Sequence, residues 1–472
     1  MEWHKFFVDA YLVVLTLLSL YGFHRMMLIF LFLRSRKNEI EPQERFEDLP
    51  VVTVQLPMFN ERYVAERIID AATKIDYPRD KLEIQVLDDS TDDTRMIAAR
   101  MVELKRAKGI DIHYIHRDDR RGFKAGALEE GMKKARGEFL MVFDADFVPR
   151  PDILMRTIHH FTDETVALVQ TRWEHINQDH SILTKVQALM LDGHFTIEHI
   201  ARSRTGRFFN FNGTAGIWRK RAIMEGGGWE HDTITEDLDL SFRVQMLKRW
   251  KLVYVPDVGT PAELPEDING FKAQQFRWAK GSIQVARKLL WRVLRARLPA
   301  KVRLEAFFHL TNNVAYVLMV PLALLILPTI LFREHNGWRD TVLVDIPLFL
   351  ATTFAIGCFY VTTYRWVHGT FRGSLGRLLL LMCVGIGISL NNARAVLEGL
   401  VDKNADFVRT PKTGVSDSRA GRTSMSIIYK PPKSVTIFVE ICFALYFLAT
   451  LIIAVAKVQL VSIPFLTLFL IG

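Results

Sequence analysis

The sequence predicts a doubly wound α/β domain inserted between apolar, membrane-spanning helices. Three observations carry this. Residues 50–280 alternate polar and apolar stretches as a soluble domain does, while both flanks carry long apolar runs. Within the middle stretch, short apolar runs are followed four times by helical patterns, the arrangement that builds a parallel sheet with helices on both faces. Those runs end in charged residues, and in such sheets the strand ends line one crevice. At 472 residues the chain is also too long for a single core.

Taken in order, residues 6–33 are long enough to span a bilayer, interrupted only by His24 and Arg25. The apolar run is too long for a cleavable signal, and no small-residue cleavage site follows. Arg34, Arg36 and Lys37 come directly after, so the next domain is expected in the cytosol. Val51-Val-Thr-Val-Gln-Leu-Pro57 reads as the first strand, with Val64, Ile68, Ile69 and Ala72 on one face of the helix behind it. Ile84-Gln-Val-Leu87 is the second strand and ends in Asp88-Asp89. Ile112-His-Tyr-Ile115 is the third, followed by Gly122-Phe-Lys-Ala-Gly126 and a helix. Phe139 to Phe143 is the fourth, a buried-strand pattern that ends in Asp144 and Asp146.

After Trp278 the character changes. In residues 282–300, Ile283, Ala286, Leu290, Val293 and Leu294 form a stripe with Arg287, Lys288, Arg292 and Arg295 off it, the pattern of a helix on an anionic membrane surface. Residues 307–364 hold two spans, and 435–472 a C-terminal hairpin. Residues 375–400 begin apolar and end polar. Crossing would place the basic loop 401–433 outside, so an interfacial helix is expected there. The three cysteines, Cys358, Cys383 and Cys442, all lie in apolar runs, which argues against disulfides and a cysteine metal site. The net charge of +9 concentrates beside the apolar segments and points to membrane lipids rather than nucleic acid.

Several stretches carry chemistry. Alone, Asp144-Ala-Asp146 is an ordinary polar strand end; with other charged strand ends around it, it suits a hard divalent cation bound through oxygen. Lys124, between two glycines at a helix start, suits phosphate. Phe209-Asn-Phe-Asn-Gly-Thr-Ala-Gly216 reads either as a tight turn or as a hydrogen-bonding surface for a hydroxyl-rich ligand. In Thr235-Glu-Asp237 the acids either favour a helix dipole or supply a general base. Gln274-Gln-Phe-Arg-Trp278 places Gln274, Arg277 and Trp278 on one helix face, fit for diphosphate and for stacking on a sugar, or for anchoring at a membrane.

In this order, Asp88-Asp89-Ser90, Asp144-Ala-Asp146, Thr235-Glu-Asp237 and Gln274-Gln-x-Arg-Trp278 resemble family-2 glycosyltransferases of type A fold, in their cellulose synthase-like branch. Gln55-Leu-Pro-Met-Phe-Asn-Glu61, Gln85-Val-Leu-Asp-Asp-Ser-Thr91, Gly126-Ala-Leu128, Asp192-Gly-His-Phe-Thr196 and Phe211-Asn-Gly-Thr-Ala-Gly-Ile-Trp218 narrow this to the plant mannan synthases and xyloglucan-backbone glucan synthases. The likeness covers residues 51–412. It implies that Asp88, Asp89, Lys124, Asp144 and Asp146 bind the donor nucleotide, with Asp144 and Asp146 also holding Mg2+ or Mn2+. It implies that Asp237 is the base, and that Gln274, Gln275, Arg277 and Trp278 bind diphosphate and acceptor. Phe407-Val-Arg-Thr-Pro-Lys412 is similar to the gating loop of cellulose synthases in Phe407, Thr410 and Lys412, with Arg409 where that family has valine. No PilZ-like domain follows the spans, so control by cyclic dinucleotides is not expected.

The resemblance therefore implies a processive, inverting enzyme. It would polymerise a β-linked glucan or mannan, with β-1,4 the expected linkage, from UDP-glucose or GDP-mannose and pass the growing polysaccharide across a plasma, inner or Golgi membrane, with accessory export proteins as further partners. Transfer of one sugar to a lipid acceptor is the alternative. A nucleotide sensor with a decayed site is disfavoured by the full set of carboxylates.

Overall fold

The computed structural model describes residues 3–332, 338–402, 412, 414, 436–457, 459 and 462–472. Its centre is a seven-stranded sheet of β1 (Val52–Met58), β2 (Leu82–Asp88), β3 (Ile112–His116), β4 (Phe139–Val142), β5 (Val166–His175), β6 (Gly216–Arg219) and β7 (Lys251–Ala262), in the order β3-β2-β1-β4-β6-β5-β7. The four expected strands are β1 to β4, all parallel. The sheet as a whole is mixed, because β6 runs antiparallel to both β4 and β5.

That one reversed strand matters for the site. Pairing Val142 with Gly216 delivers the preceding loop, Asn212 to Ala215, to the carboxyl end of β4, where the Ala215 N–H donates to the Val142 carbonyl at 2.8 Å. A parallel strand there would bring that loop to the opposite end of the sheet.

β1, β2 and β4 are buried along their whole length, as sheet strands covered on both faces are. On one face they pack with Ile68, Ile69, Ala98 and Val102 from the helices Ala65–Ala72 and Thr94–Arg106. The core on the other face is shared. It joins Leu128, Leu140 and Trp218 to Phe195 and Ile200, and then to Leu28, Phe32, Phe359 and Leu378 of the flanking helices. The apolar flanks and the α/β domain are thus one hydrophobic unit, not beads on a linker.

Among the described residues, Lys5–Ser35, Val314–Leu331 and Ile437–Ala456 are helices long and apolar enough to cross a membrane. Ser374–Gly387 and Ser389–Val401 form a pair bent by 47°, which would make a fourth if it spans as one unit. Residues 307–311 do not belong to the span that follows. They end the helix Ala300–Thr311, and Val314–Phe332 starts afresh beyond Asn312-Asn313.

The apolar stripe expected to rest on lipid is covered by protein. Of its residues, Ala286, Val293 and the half-buried Leu290 pack, with Val285 and Leu289 beside them, against Phe208, Leu238, Phe242 and Val302, and Ile283 packs with Ala395 and Val396. Lys288 leaves the basic face as well, pairing with Glu230 at 2.5 Å, Asp232 at 2.7 Å and Asp239 at 3.0 Å, while Arg287, Arg292 and Arg295 stay exposed. The helix Ile268–Val285 runs on without a break into this stretch through a wide turn at Ala286–Leu290.

Candidate active site

A cleft of about 240 Å3 opens above the carboxyl ends of β1 and β4. Asp89, Lys124, Asp144, Asp146, Asp237, Gln274, Arg277, Trp278 and Lys412 all line it. Residues from six separate stretches thus converge, three of them, at Asp89, Lys124 and Asp144–Asp146, brought by the strand-end loops of the crossover sheet.

Asp144 and Asp146 follow directly on β4. The Asp144 N–H donates to the Thr214 hydroxyl at 2.9 Å, so the β6-side loop fixes where this carboxylate starts. Lys124, at the start of the helix Phe123–Lys134, pairs with Asp144 and donates to the Gly213 carbonyl at 2.9 Å. Asp146 pairs with Lys412. Burial opposes the charge on Lys412, but Asp146 outweighs it and holds the ammonium above its ordinary pKa. The Asp146 carbonyl accepts from Arg67 at 3.3 Å, and Arg67 also donates to Glu263 at 2.5 Å.

Gly213 is the point of closest approach. Its φ of +81° lies in the left-handed region, and a Cβ there would sit 3.1 Å from Asp237 Oδ2 and 3.4 Å from Lys124 Nζ. Only glycine meets both conditions without displacing a charged group.

Asp237 is in the first turn of the helix Glu236–Met246, with its Oδ1 accepting from the Leu238 N–H at 2.8 Å. Burial raises its pKa to about 6, against the pull of that N–H and of Lys124. Burial and the adjacent Asp237 raise Glu236 to about 7. Two acids with such values in a cleft are the environment of proton-transfer groups. The loop carrying them is packed against Ile268–Val285: a Cβ on Gly281 would fall 2.5 Å from Thr235 Cγ2, so a larger residue would push the loop away.

Asp88 and Asp89 part company. Asp88 is fully buried below the cleft, accepting from the Tyr114 hydroxyl at 2.6 Å and the Ser90 N–H at 2.9 Å, and it does not line the wall. Asp89 does line it, held by Arg117 through two hydrogen bonds of 2.8 and 2.5 Å. At the other wall Gln274, Arg277 and Trp278 face in and Gln275 does not, as helical spacing dictates. Burial lowers Arg277 to about 10, with Asp144 and Asp146 opposing. Phe407 and Thr410 lie outside the described residues.

The cleft holds residues that the motif reading left without a role. Glu236 sits inside a quoted motif, and only its raised pKa distinguishes it. Asn212 belongs to a quoted stretch as well. Arg120 lies 3.3 Å over the Phe59 ring, and Trp173 is 6.5 Å from Trp278. Neither has a local sequence signal, since both are placed by contacts between separate strand ends. Glu230, Asp232 and Asp239 cluster closely enough for a metal, but Lys288 already sits among them.

Comparison with known proteins shows the family of the chain. A family model described as glycosyltransferase-like family 2 matches residues 50–281. Glucomannan 4-beta-mannosyltransferase 2 of Arabidopsis thaliana is 38% identical over 414 residues, covering 82% of this chain and 73% of that protein. Glucomannan 4-beta-mannosyltransferase 1 of Oryza sativa subsp. japonica is 38% identical over 386 residues, covering 79% and 71%. The solved structure of a mannosyltransferase of Pyrobaculum calidifontis, in complex with GDP-Man and Mn2+, shares the fold with a TM-score of 0.60 and 22% identity, covering 84% of this chain and all of that one. Fold and site together define a nucleotide-sugar-dependent hexosyltransferase of the type A fold. Within that class, the chain belongs to family 2, in its cellulose synthase-like mannan-synthase branch.

Proposed function

We propose that the protein builds a β-1,4-linked mannan or glucomannan from GDP-mannose by processive, inverting transfer. The observation that carries this reading is the cleft itself. Asp237, one of two adjacent acids of raised pKa, lies beside Gly213 with Lys124, and Asp144, Arg277 and Trp278 line the same cleft. The sequence leaves UDP-glucose and GDP-mannose open; the relatives' names favour mannose as the transferred sugar and a β-1,4 linkage, and the solved mannosyltransferase of similar fold holds GDP-Man.

Asp144 and Asp146 fit a divalent cation, Mg2+ or Mn2+. Both offer hard oxygen donors, and the Lys412 ammonium already occupies a cation's place beside Asp146. Bound there, the ion would offset the charge that builds on the departing diphosphate. Lys124 and Arg277 add fixed positive charge to the same end of the cleft. Asp89, tethered by Arg117, offers its carboxylate to the nucleoside. Asp237 takes the proton from the acceptor hydroxyl as that oxygen attacks the anomeric carbon from the face opposite the diphosphate. Trp278 offers a ring face to the acceptor sugar.

The apolar helices support a multi-pass membrane protein. Arg34, Arg36 and Lys37 at the end of Lys5–Ser35 support a cytosolic cleft. The shared core between sheet and flanking helices supports delivery of the product straight into the membrane region, as polymer export needs. Purified enzyme given radiolabelled GDP-mannose or UDP-glucose with Mn2+ tests the donor. Incorporation from GDP-mannose into β-1,4-linked product is expected; incorporation from neither donor would overturn the reading.

A further inference from the structure

The cleft is wired to the N-terminal helix through buried polar groups. Asn212 lines the cleft, and its side chain is gripped on both sides: His199 Nε2 lies 2.6 Å from its Oδ1 and His194 Nε2 2.9 Å from its Nδ2. Asn212 donates to His194 Nε2, so the His194 proton sits on Nδ1, which lies 3.1 Å from Glu198 Oε2. Glu198 in turn faces Arg202 at 3.1 Å and Arg25 of the N-terminal helix at 3.7 Å. His24, beside Arg25, meets Glu305 at 3.1 Å, and Glu305 closes the circuit to Arg202 at 2.9 Å.

His194 to Glu198 lie in a π-helical turn within the run Ile182–Arg204. A π turn adds a residue to the helix and re-aims side chains, and such turns concentrate at functional sites. Here it points His194, Glu198 and His199 into one network. A Cβ on Gly193 would fall 2.6 Å from Phe359, so the turn is pressed against the helix Trp338–His368. Burial opposes the charge on Glu198, but Arg202, His194 and Arg25 outweigh it and keep it ionised. The next link inward is covalent: Asn212 carries Gly213, whose carbonyl holds Lys124 at 2.9 Å, and Lys124 pairs with Asp144.

We propose that His194, Glu198 and Arg25 are positioning residues that act through Asn212 and the Gly213 carbonyl to set Lys124 at the diphosphate end of the cleft. The N-terminal helix is then a working part of the donor site as well as an anchor. This rests on the reading of Lys124 as a diphosphate contact.

The test is a double-mutant cycle on nucleoside diphosphate affinity, read by calorimetry on the full-length protein in lipid nanodiscs with GDP and Mn2+, and with UDP and Mn2+. His194→Ala is expected to weaken binding about tenfold and Arg25→Gln about threefold, with the double variant no weaker than His194→Ala alone. Asn212→Ser, which leaves the buried charges paired, serves if His194→Ala does not fold; on that background Arg25→Gln should have no effect. Independent, additive losses, or affinities equal to wild type, would overturn the relay while leaving the proposed function standing. A wild type that binds neither GDP nor UDP would overturn both.

Discussion

Lys412 is ion-paired with Asp146, 266 positions earlier in the chain. The pair places an ammonium against a carboxylate expected to hold a divalent cation. The two cations compete for one oxygen. Lys412→Gln should therefore tighten Mn2+ binding severalfold in the absence of nucleotide, measured by calorimetry or by the electron paramagnetic resonance of free Mn2+. Unchanged affinity would place the metal elsewhere.

Asp237 is the proposed base, and the group must be ionised to act. Its pKa is raised to about 6 by burial, so the active form is lost as pH falls through that value. Turnover should fall below pH about 6 with a slope that Asp237→Asn removes. The same variant should lose about a thousandfold in kcat while keeping donor affinity. Substantial residual turnover would move the base role to Glu236, whose pKa of about 7 would put the inflection higher.

Gly213→Ala places a methyl group 3.1 Å from Asp237 Oδ2 in a left-handed backbone. The conformation alone costs about 1–2 kcal/mol. Because the methyl also displaces the base and Lys124, kcat should fall by far more than the drop in thermal stability accounts for. A loss of stability with normal turnover of the folded enzyme would contradict the packing described.

Asp88 and Asp89 should separate by mutation. Tyr114→Phe leaves the buried Asp88 carboxylate short of a donor and should cost about 1–3 kcal/mol of stability, with donor affinity intact. Arg117→Gln frees Asp89 in the cleft wall and should raise the donor KM instead. Denaturant melts and steady-state kinetics on both variants distinguish the two roles.

The sequence was most legible where local chemistry decides structure. β4 is a short apolar run that leads to Asp144, and β1 and β2 are short β-rich runs with closing signals at Pro57 and at Asp88, all visible without any partner. β6 is four residues long, and its direction is set by which neighbours it fits between, which no local pattern encodes. β7 contains Pro256, Gly259 and Pro261, signals that argue against a strand, yet its pairing with β5 absorbs them through an irregularity between Thr171 and Arg172. The stripe from Ile283 to Leu294 has an amphipathic pattern, but amphipathicity does not say whether lipid or protein covers it. In the site, charged residues at strand ends announced themselves. The Arg117 tether on Asp89, the position of Asp88 beneath the cleft and the two-histidine grip on Asn212 did not, because each joins residues from separate elements.

The central claim is most directly tested by the product itself. Purified protein supplied with GDP-mannose and Mn2+ should yield chains of many sugars, lengthening with time on a fixed number of primers and cleaved to short fragments by endo-β-1,4-mannanase. A product of one added sugar on a lipid, or material resistant to that enzyme, would contradict it.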